Sequence, residues 1–299
     1  MPESIKLYHF TRIDYIGDII GKRRLKLTES GLSNDPFEMN PSFDVNESDP
    51  LLMDAHMREL ESSWESHKSM EPQTVICLSA CVSSVLMWGH YAANHSGICL
   101  VFDIPVQEYE NCLIADLEKK YPLLPMQYGM SRIFARNYVE QGRGNTIVYS
   151  LGKLLRKLLS YKPLHWSYER EFRLLIPQNA IEYDSEMMYT SVLGNYLSGV
   201  ILGARCPWSK TKVRALLSSA GYEDAVAVEK ATLHPKINSV EINGTDSFYD
   251  MPQHIYEHYK KIESCHTSKE QILTLNISHP KDWRDLYNEI EGDKGSESV

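Results

Sequence analysis

Apolar residues alternate along Lys6–Phe10, a period of two that predicts a short strand. Ile13, Ile16, Ile19 and Ile20 then recur at helical spacing, with Gly21 as a stop. Leu25–Leu27 reads as a second short strand, followed by the polar turn Asn34-Asp35-Pro36-Phe37-Glu38. Asp49 and Pro50 open a helix that carries Met53, Met57, Leu60 and Trp64 on one face. Thr74–Ala80 predicts a strand, Ser83 or Ser84 caps a helix over Leu86–Ala93, and Gly97–Asp103 is apolar enough for a buried strand. A looser stretch runs to Gly144. Beyond it Ile147, Leu151, Leu154, Leu155 and Leu158 mark a helix that Lys162-Pro163 ends. Glu171–Ile176, Val200–Leu202 and Ala225–Leu233 predict strands, with a helix over Ser209–Ala220 between the last two. Gln253–Ile262 and Asp282–Ile290 predict helices near the C-terminus.

No repeat and no linker interrupts this order. It predicts an α+β fold with a mixed sheet core: a single domain over residues 1–245 with an acidic helical insertion at about 39–72, and a C-terminal helical extension over 246–299. A hydrophobic content of 42% with 24% charged residues excludes a disordered or fibrous chain for these 299 residues.

The formal net charge of -9 sharpens the picture because it is localised. Glu29–Glu71 holds eleven acidic and two basic residues, and the remainder balances at 29 of each sign. Gly129–Leu175 carries nine Lys or Arg against three Glu. A generally basic nucleic-acid binder is thereby excluded, while a local site for a phosphate-bearing ligand is not. The N-terminus lacks the apolar core of a signal peptide, and no eighteen-residue apolar run exists, so a cytoplasmic protein without a membrane span is expected. Cys77, Cys81, His90 and His95 imitate a zinc finger, but the eight-residue spacer is short and both cysteines fall in or beside a strand. Reduced thiols and no metal site are the expectation.

The residues with most chemical content are Trp166-x-x-Glu169-x-Glu171-x-Arg173. On a strand, positions 169, 171 and 173 share a face, so two carboxylates would approach closely with an arginine to relieve them. Either a salt-bridge network at a sheet end or a functional cluster fits. Aromatics on a short helix, such as Trp88 and Tyr91, usually pack a core, and a stacking surface is the alternative. Asn34-Asp35-Pro36 fits an Asx turn.

Four motifs together resemble a mostly bacterial family known as a domain of unknown function, family 2971. They are Leu7-Tyr8-His9-Phe10 with Asn34-Asp35-Pro36-Phe37-Glu38; Cys77-Leu78-Ser79 with Leu86–Ala92 and His95–Asp103; Lys162 with Trp166–Arg173; and Val200–Gly203. The likeness spans Ile5 to Gly221. His9-Phe10-Thr11 before a helix ending at Gly21 is more remotely similar to toxin-type ADP-ribosyltransferases. That resemblance implies an ADP-ribosyltransferase-like core using NAD as substrate. It assigns His9 and Thr11 to the NAD ribose, Tyr91 or Trp88 to ring stacking, and Arg132, Arg136 or Arg173 to the pyrophosphate. Glu171 would stabilise the oxocarbenium-like transition state, and Glu169 would orient or activate an acceptor. The acceptor would be an unidentified macromolecule, in antiphage defence or as a toxin. Two alternatives stand beside it. One is a magnesium-dependent phosphodiesterase or nuclease with oxygen ligands from Asp35, Glu38, Asp103, Glu169 and Glu171. The other is a non-catalytic nucleotide sensor or interaction module whose partner surface is the Met53–Trp64 stripe.

Overall fold

The computed structural model describes residues 3–29, 34–44, 54–70, 74–109, 112–114, 122–141, 147–222, 226–235 and 238–242. Ten strands form the main sheet of these residues: β1 (Glu3–Thr11), β2 (Thr28–Glu29), β3 (Thr74–Ser79), β4 (Ile98–Tyr109), β5 (Cys112–Ile114), β6 (Pro122–Pro125), β7 (Glu171–Ile176), β8 (Leu197–Leu202), β9 (Ala227–Leu233) and β10 (Val240–Ile242). Their pairings close a circuit β1–β3–β7–β6–β5–β4 and back to β1. β8, β9 and β10 branch from β4, and β2 pairs with β3. The β8–β9 pair is parallel and the others are antiparallel, so the architecture is mixed α+β, as the sequence pattern predicts.

Alternation explains the burial. Even positions of β4 (Ile98, Leu100, Phe102, Ile104) enter one core with Ile5 and Leu7 of β1, Ile76 and Leu78 of β3, and Phe172, Leu174 and Ile176 of β7. A second core on the opposite side takes Tyr8, Phe10, Cys99, Val101 and Trp88. On β3 and β7 that opposite face instead carries Cys77, Ser79, Glu171 and Arg173, brought side by side by the register Ser79↔Glu171 and Cys77↔Arg173. These strands therefore carry a polar strip on the face turned away from the apolar core.

β1 pairs with β4 along its whole length, from Glu3↔Val106 to Thr11↔Ile98. With β3 it shares the single described pair Tyr8↔Ser79. The sheet therefore parts between β1 and β3 on either side of that pair.

The remaining elements cover this frame. α1 (Asp54–Met70) buries Met57, Leu60 and Trp64 against Leu124, Ala135, Leu154 and Leu158, the last two from α3 (Leu151–Leu159). Full burial of such side chains is worth about 1.5–3 kcal/mol each, so the stripe expected as a partner surface is occupied by the protein's own core. Met53 lies outside the described residues, as do both predicted C-terminal helices. α2 (Val85–His90) is capped by Ser84 Oγ, which accepts from Met87 N at 3.4 Å, and α4 (Lys210–Ser219) is capped by Ser209.

Three local expectations are corrected. Residues 13–20 are not one α-helix but a 3-10 turn at Ile13–Tyr15 and a wider π turn at Gly17–Gly21, which still buries Ile16, Ile19 and Ile20. Ile147 stands in a strand, Ile147–Tyr149, paired with Val139–Gln141; its β-branched neighbourhood favours that state, and the helix starts only at Leu151. Glu169 is not on the strand with Glu171 and Arg173. It ends a 3-10 turn (Leu164–Glu169), and Arg170, left-handed at φ 44°, turns the chain into β7.

Candidate functional site

A cavity of about 310 Å³ opens where β1 and β3 part. β1 contributes Tyr8, His9 and Phe10, and β3 contributes Val75, Cys77, Leu78 and Ser79. Asn34, Asp35 and Glu38 close one side, Met87 and Tyr91 another, and Lys162, Trp166, Glu169, Glu171 and Arg173 form the charged wall. This volume is at the lower end of the range for small-molecule sites, roughly 300–1,000 Å³.

The charged wall is an alternating chain. Glu38 Oε2 accepts from Arg173 Nη2 at 2.9 Å, and Arg173 Nε donates to Glu171 Oε1 at 2.9 Å. The other oxygen of Glu171 lies 2.5 Å from Lys162 Nζ, an ion pair without directed hydrogen-bond geometry. Lys162 Nζ also donates to Glu169 Oε2 at 2.7 Å, and the Tyr91 hydroxyl donates to Glu169 Oε1. Arg173 is 1% exposed, Glu171 4% and Lys162 6%, so these pairs sit where removing one partner costs far more than at a surface.

Local structure fixes each member. Phe37 N donates to Asp35 Oδ1 at 2.9 Å, the Asx turn that presents Glu38 to Arg173. The turn is therefore both the structural motif expected of Asn34-Asp35-Pro36 and a wall of the cavity. Tyr161–Pro163 pairs in parallel with Gln127–Gly129, placing Lys162 beside Tyr128, whose hydroxyl accepts from Glu171 N at 2.8 Å. Ser79 Oγ donates to the Glu169 carbonyl at 2.6 Å and anchors the end of the 3-10 turn.

Environment pushes the two glutamates apart. Burial alone would raise both. At Glu171 the charges of Arg173 and Lys162 outweigh it and hold the carboxyl at about 2. At Glu169 burial wins over Lys162, with Glu171 adding repulsion, and the pKa lies above the ordinary carboxylate value. Burial opposes the charge of Lys162, but Glu171 and Glu169 together hold its pKa above that of an ordinary lysine. Burial, reinforced by Glu171, pushes the Cys77 thiol up, so it remains protonated. Burial lowers His9. Its Nδ1 lies 3.0 Å from the Cys77 carbonyl, an acceptor only, so Nδ1 carries the proton and Nε2 accepts. Toward a ribose, His9 would in this tautomer accept from a hydroxyl rather than donate to it.

The structure brings His9, Tyr91, Glu169, Glu171 and Arg173 together on this cavity, and places four other candidates elsewhere. Trp88 is 0% exposed; its Nε1 donates to the Val82 carbonyl at 2.7 Å and Phe10 packs edge-on at 5.1 Å, so it is core. Thr11 ends β1 beside Gly97 and does not line the cavity. Arg132 donates to the carbonyls of Asn40 and Pro41, and Arg136 to that of Asp44, so both guanidinium groups bind the loop after the Asx turn. Arg173 is enclosed by two carboxylates and is not presented to a pyrophosphate. Lys162 is a member that the spacing did not single out, and Cys77 and Trp166, quoted in motifs, had no role assigned in this site. The signal for Lys162 was its place within the third motif.

A magnesium centre does not fit this donor set. Arg173 or Lys162 stands between successive carboxylates, and Asp103 lies outside the cavity lining. Among the described residues no group of three or more His, Cys, Asp or Glu side chains is arranged to hold a metal ion. Among them, too, no helix is long and apolar enough to cross a membrane.

Residues 87–174 match a family described as protein of unknown function, DUF2971, so the resemblance carried by the motifs holds over that stretch. It includes Tyr91, Lys162, Glu169, Glu171 and Arg173, whereas His9, Asp35, Glu38 and Cys77 lie before it. No curated protein and no solved structure matches the chain.

Proposed function

We propose that the cavity receives the nicotinamide riboside half of NAD and that the protein transfers ADP-ribose to an acceptor. The observation that carries this reading is a pair of buried carboxylates on one cavity wall in unlike company: Glu171 is bound by both Arg173 and Lys162, whereas Glu169 shares Lys162 and meets the neutral Tyr91 hydroxyl with its other oxygen. Groups so divided take separate roles, a fixed anion and a proton acceptor. Cleavage of the ribose C1′–nicotinamide bond sends its electron pair to the pyridinium nitrogen and leaves positive charge on the sugar. Glu171, ionised throughout, stabilises that charge. Glu169 takes the proton of the attacking acceptor as the new C1′ bond forms, and later yields it to water.

Charge and shape support the same choice. The lining holds four carboxylates (Asp35, Glu38, Glu169, Glu171) against Lys162 and Arg173, and it includes the rings of Tyr91, Trp166 and Phe10. An acidic, aromatic cavity suits a pyridinium ring better than a phosphate. In this reading the pyrophosphate and adenosine lie outside the cavity.

Glu171→Gln tests the reading by release of nicotinamide from NAD. Loss of an electrostatic stabiliser of this kind slows turnover by about 10²–10³. Unchanged turnover in folded E171Q would remove Glu171 from the chemistry. The saturation of the ion chain favours a second reading, a sensor that binds NAD without cleaving it. Binding by the wild-type protein with no nicotinamide released would select it.

A further inference from the structure

We propose that Lys162 is the positioning residue that gives the two glutamates separate roles: one ammonium bridges both, holding Glu171 as a fixed anion and leaving Glu169 as the carboxyl that exchanges a proton with the cavity. In its consequence for turnover this rests on the transferase reading; in its geometry it does not.

Lys162 Nζ lies 2.7 Å from Glu169 Oε2 and 2.5 Å from Glu171 Oε2. The carboxylates approach from different elements, a 3-10 turn and a strand, and the ammonium is the contact they share. Its backbone is fixed independently of them, by the parallel ladder Tyr161–Pro163 with Gln127–Gly129. The same ladder carries Tyr128, whose hydroxyl accepts from Glu171 N. Side chain and main chain of Glu171 are therefore referenced to one two-stranded frame.

The groups facing the ammonium are Glu169, Glu171, Arg173, Cys77 and the Trp166 ring, whose centroid is 5.7 Å from Nζ. Arg173 binds the far oxygen of Glu171, so it neutralises that residue but has no bond to Glu169. Tyr91 binds the far oxygen of Glu169 and carries no charge. Burial pushes the Tyr91 hydroxyl up, and Glu169 beside it adds to this. Without Lys162 the two carboxylates face each other with no cation between them. Like charges so placed titrate as a coupled pair, one member strongly raised.

The experiment is a pH titration of the glutamate carboxyl carbons by NMR in the full chain, assigned with E169Q and E171Q, together with the pH–rate profile of nicotinamide release from NAD. In the wild type Glu169 is expected to titrate in one step, with Glu171 ionised far below it. In K162M the pair titrates in two coupled steps, and the upper step and the acid limb of the rate profile move up by about 1–3 pH units. K162R keeps the bridge and the wild-type order. If K162M does not fold, K162M/E169Q, which removes one carboxylate with the cation, is expected to fold and to show Glu171 titrating alone. An unchanged titration in K162M, or a double variant no more stable than K162M, overturns the role of Lys162. Titrations as expected with no nicotinamide released by any variant refute the transferase reading and leave that role standing.

Discussion

Replacing Arg173 with methionine tests the ion chain at its most buried point. The guanidinium is 1% exposed and donates to Glu171 Oε1 and Glu38 Oε2, both at 2.9 Å, and to the Leu159 carbonyl at 3.4 Å. Methionine fills much of the volume but leaves two buried carboxylates without this partner. Breaking a buried pair from one side costs about 3–5 kcal/mol. At roughly 2–4 °C per kcal/mol for a domain of this size, Tm falls by about 6–20 °C. Urea unfolding at pH 7, followed by the fluorescence of the buried Trp64 and Trp88, measures it. R173K retains the charge but not the fork that serves both carboxylates, and is expected between R173M and wild type. R173M/E38Q/E171Q removes the stranded charges and recovers most of the loss. A loss below about 1 kcal/mol in R173M would place this pair among ordinary surface ion pairs. A triple variant no more stable than R173M would refute the charge argument.

Three further outcomes follow from the same geometry. The depressed pKa of Glu171, about 2 against 4.5 for the ordinary group, corresponds to a contribution of about 3 kcal/mol. It is fully present above the unfolded value and lost as pH falls from about 4.5 toward about 2, so acid unfolding of E171Q is flatter across that window than that of the wild type. W88F removes the indole donor to the Val82 carbonyl and lowers stability by about 1–3 kcal/mol, read by denaturant titration; a neutral effect would return Trp88 to the list of free stacking residues. Gly97→Ala places a Cβ 2.3 Å from the Thr11 carbonyl and disturbs the turn that follows Tyr91, lowering both Tm and nicotinamide release. Gly89→Ala, with nothing within 4 Å, leaves Tm unchanged or raised.

Much of the fold was legible because period-two alternation survives wherever one face of a strand is apolar. β1, β3 and β7 fell within a few residues of expectation for this reason, and β4 extended further than its apolar run. The short strands between 112 and 141 were not legible, because pairing partners rather than local pattern fix them. The site was legible in its carboxylates and in Arg173, and not in Lys162. Glu169 and Glu171 announced themselves by spacing, but Lys162 reaches them only through a parallel ladder to residues 127–129, a contact no local pattern encodes. Trp88 and Tyr91 show the limit at single-residue scale. Trp88 lies within the six-residue helix and Tyr91 caps its end; both meet the second core, but Trp88 is enclosed by Phe10 from β1 while Tyr91 reaches Glu169 in the cavity. The acidic segment was legible as a helical insertion but not in its placement: its helix packs on α3, and its Asx turn forms part of the cavity wall.

The central claim is that Glu169 exchanges a proton during transfer from NAD in the cavity between β1 and β3. Its most direct test is nicotinamide release from NAD at neutral pH by the wild-type protein and by Glu169→Gln, which keeps the shape and polar contacts of the side chain. The account predicts measurable release by the wild type and a rate about 10²–10⁴ lower in E169Q, with the fold intact. No release by the wild type, or equal release by the two, would contradict it.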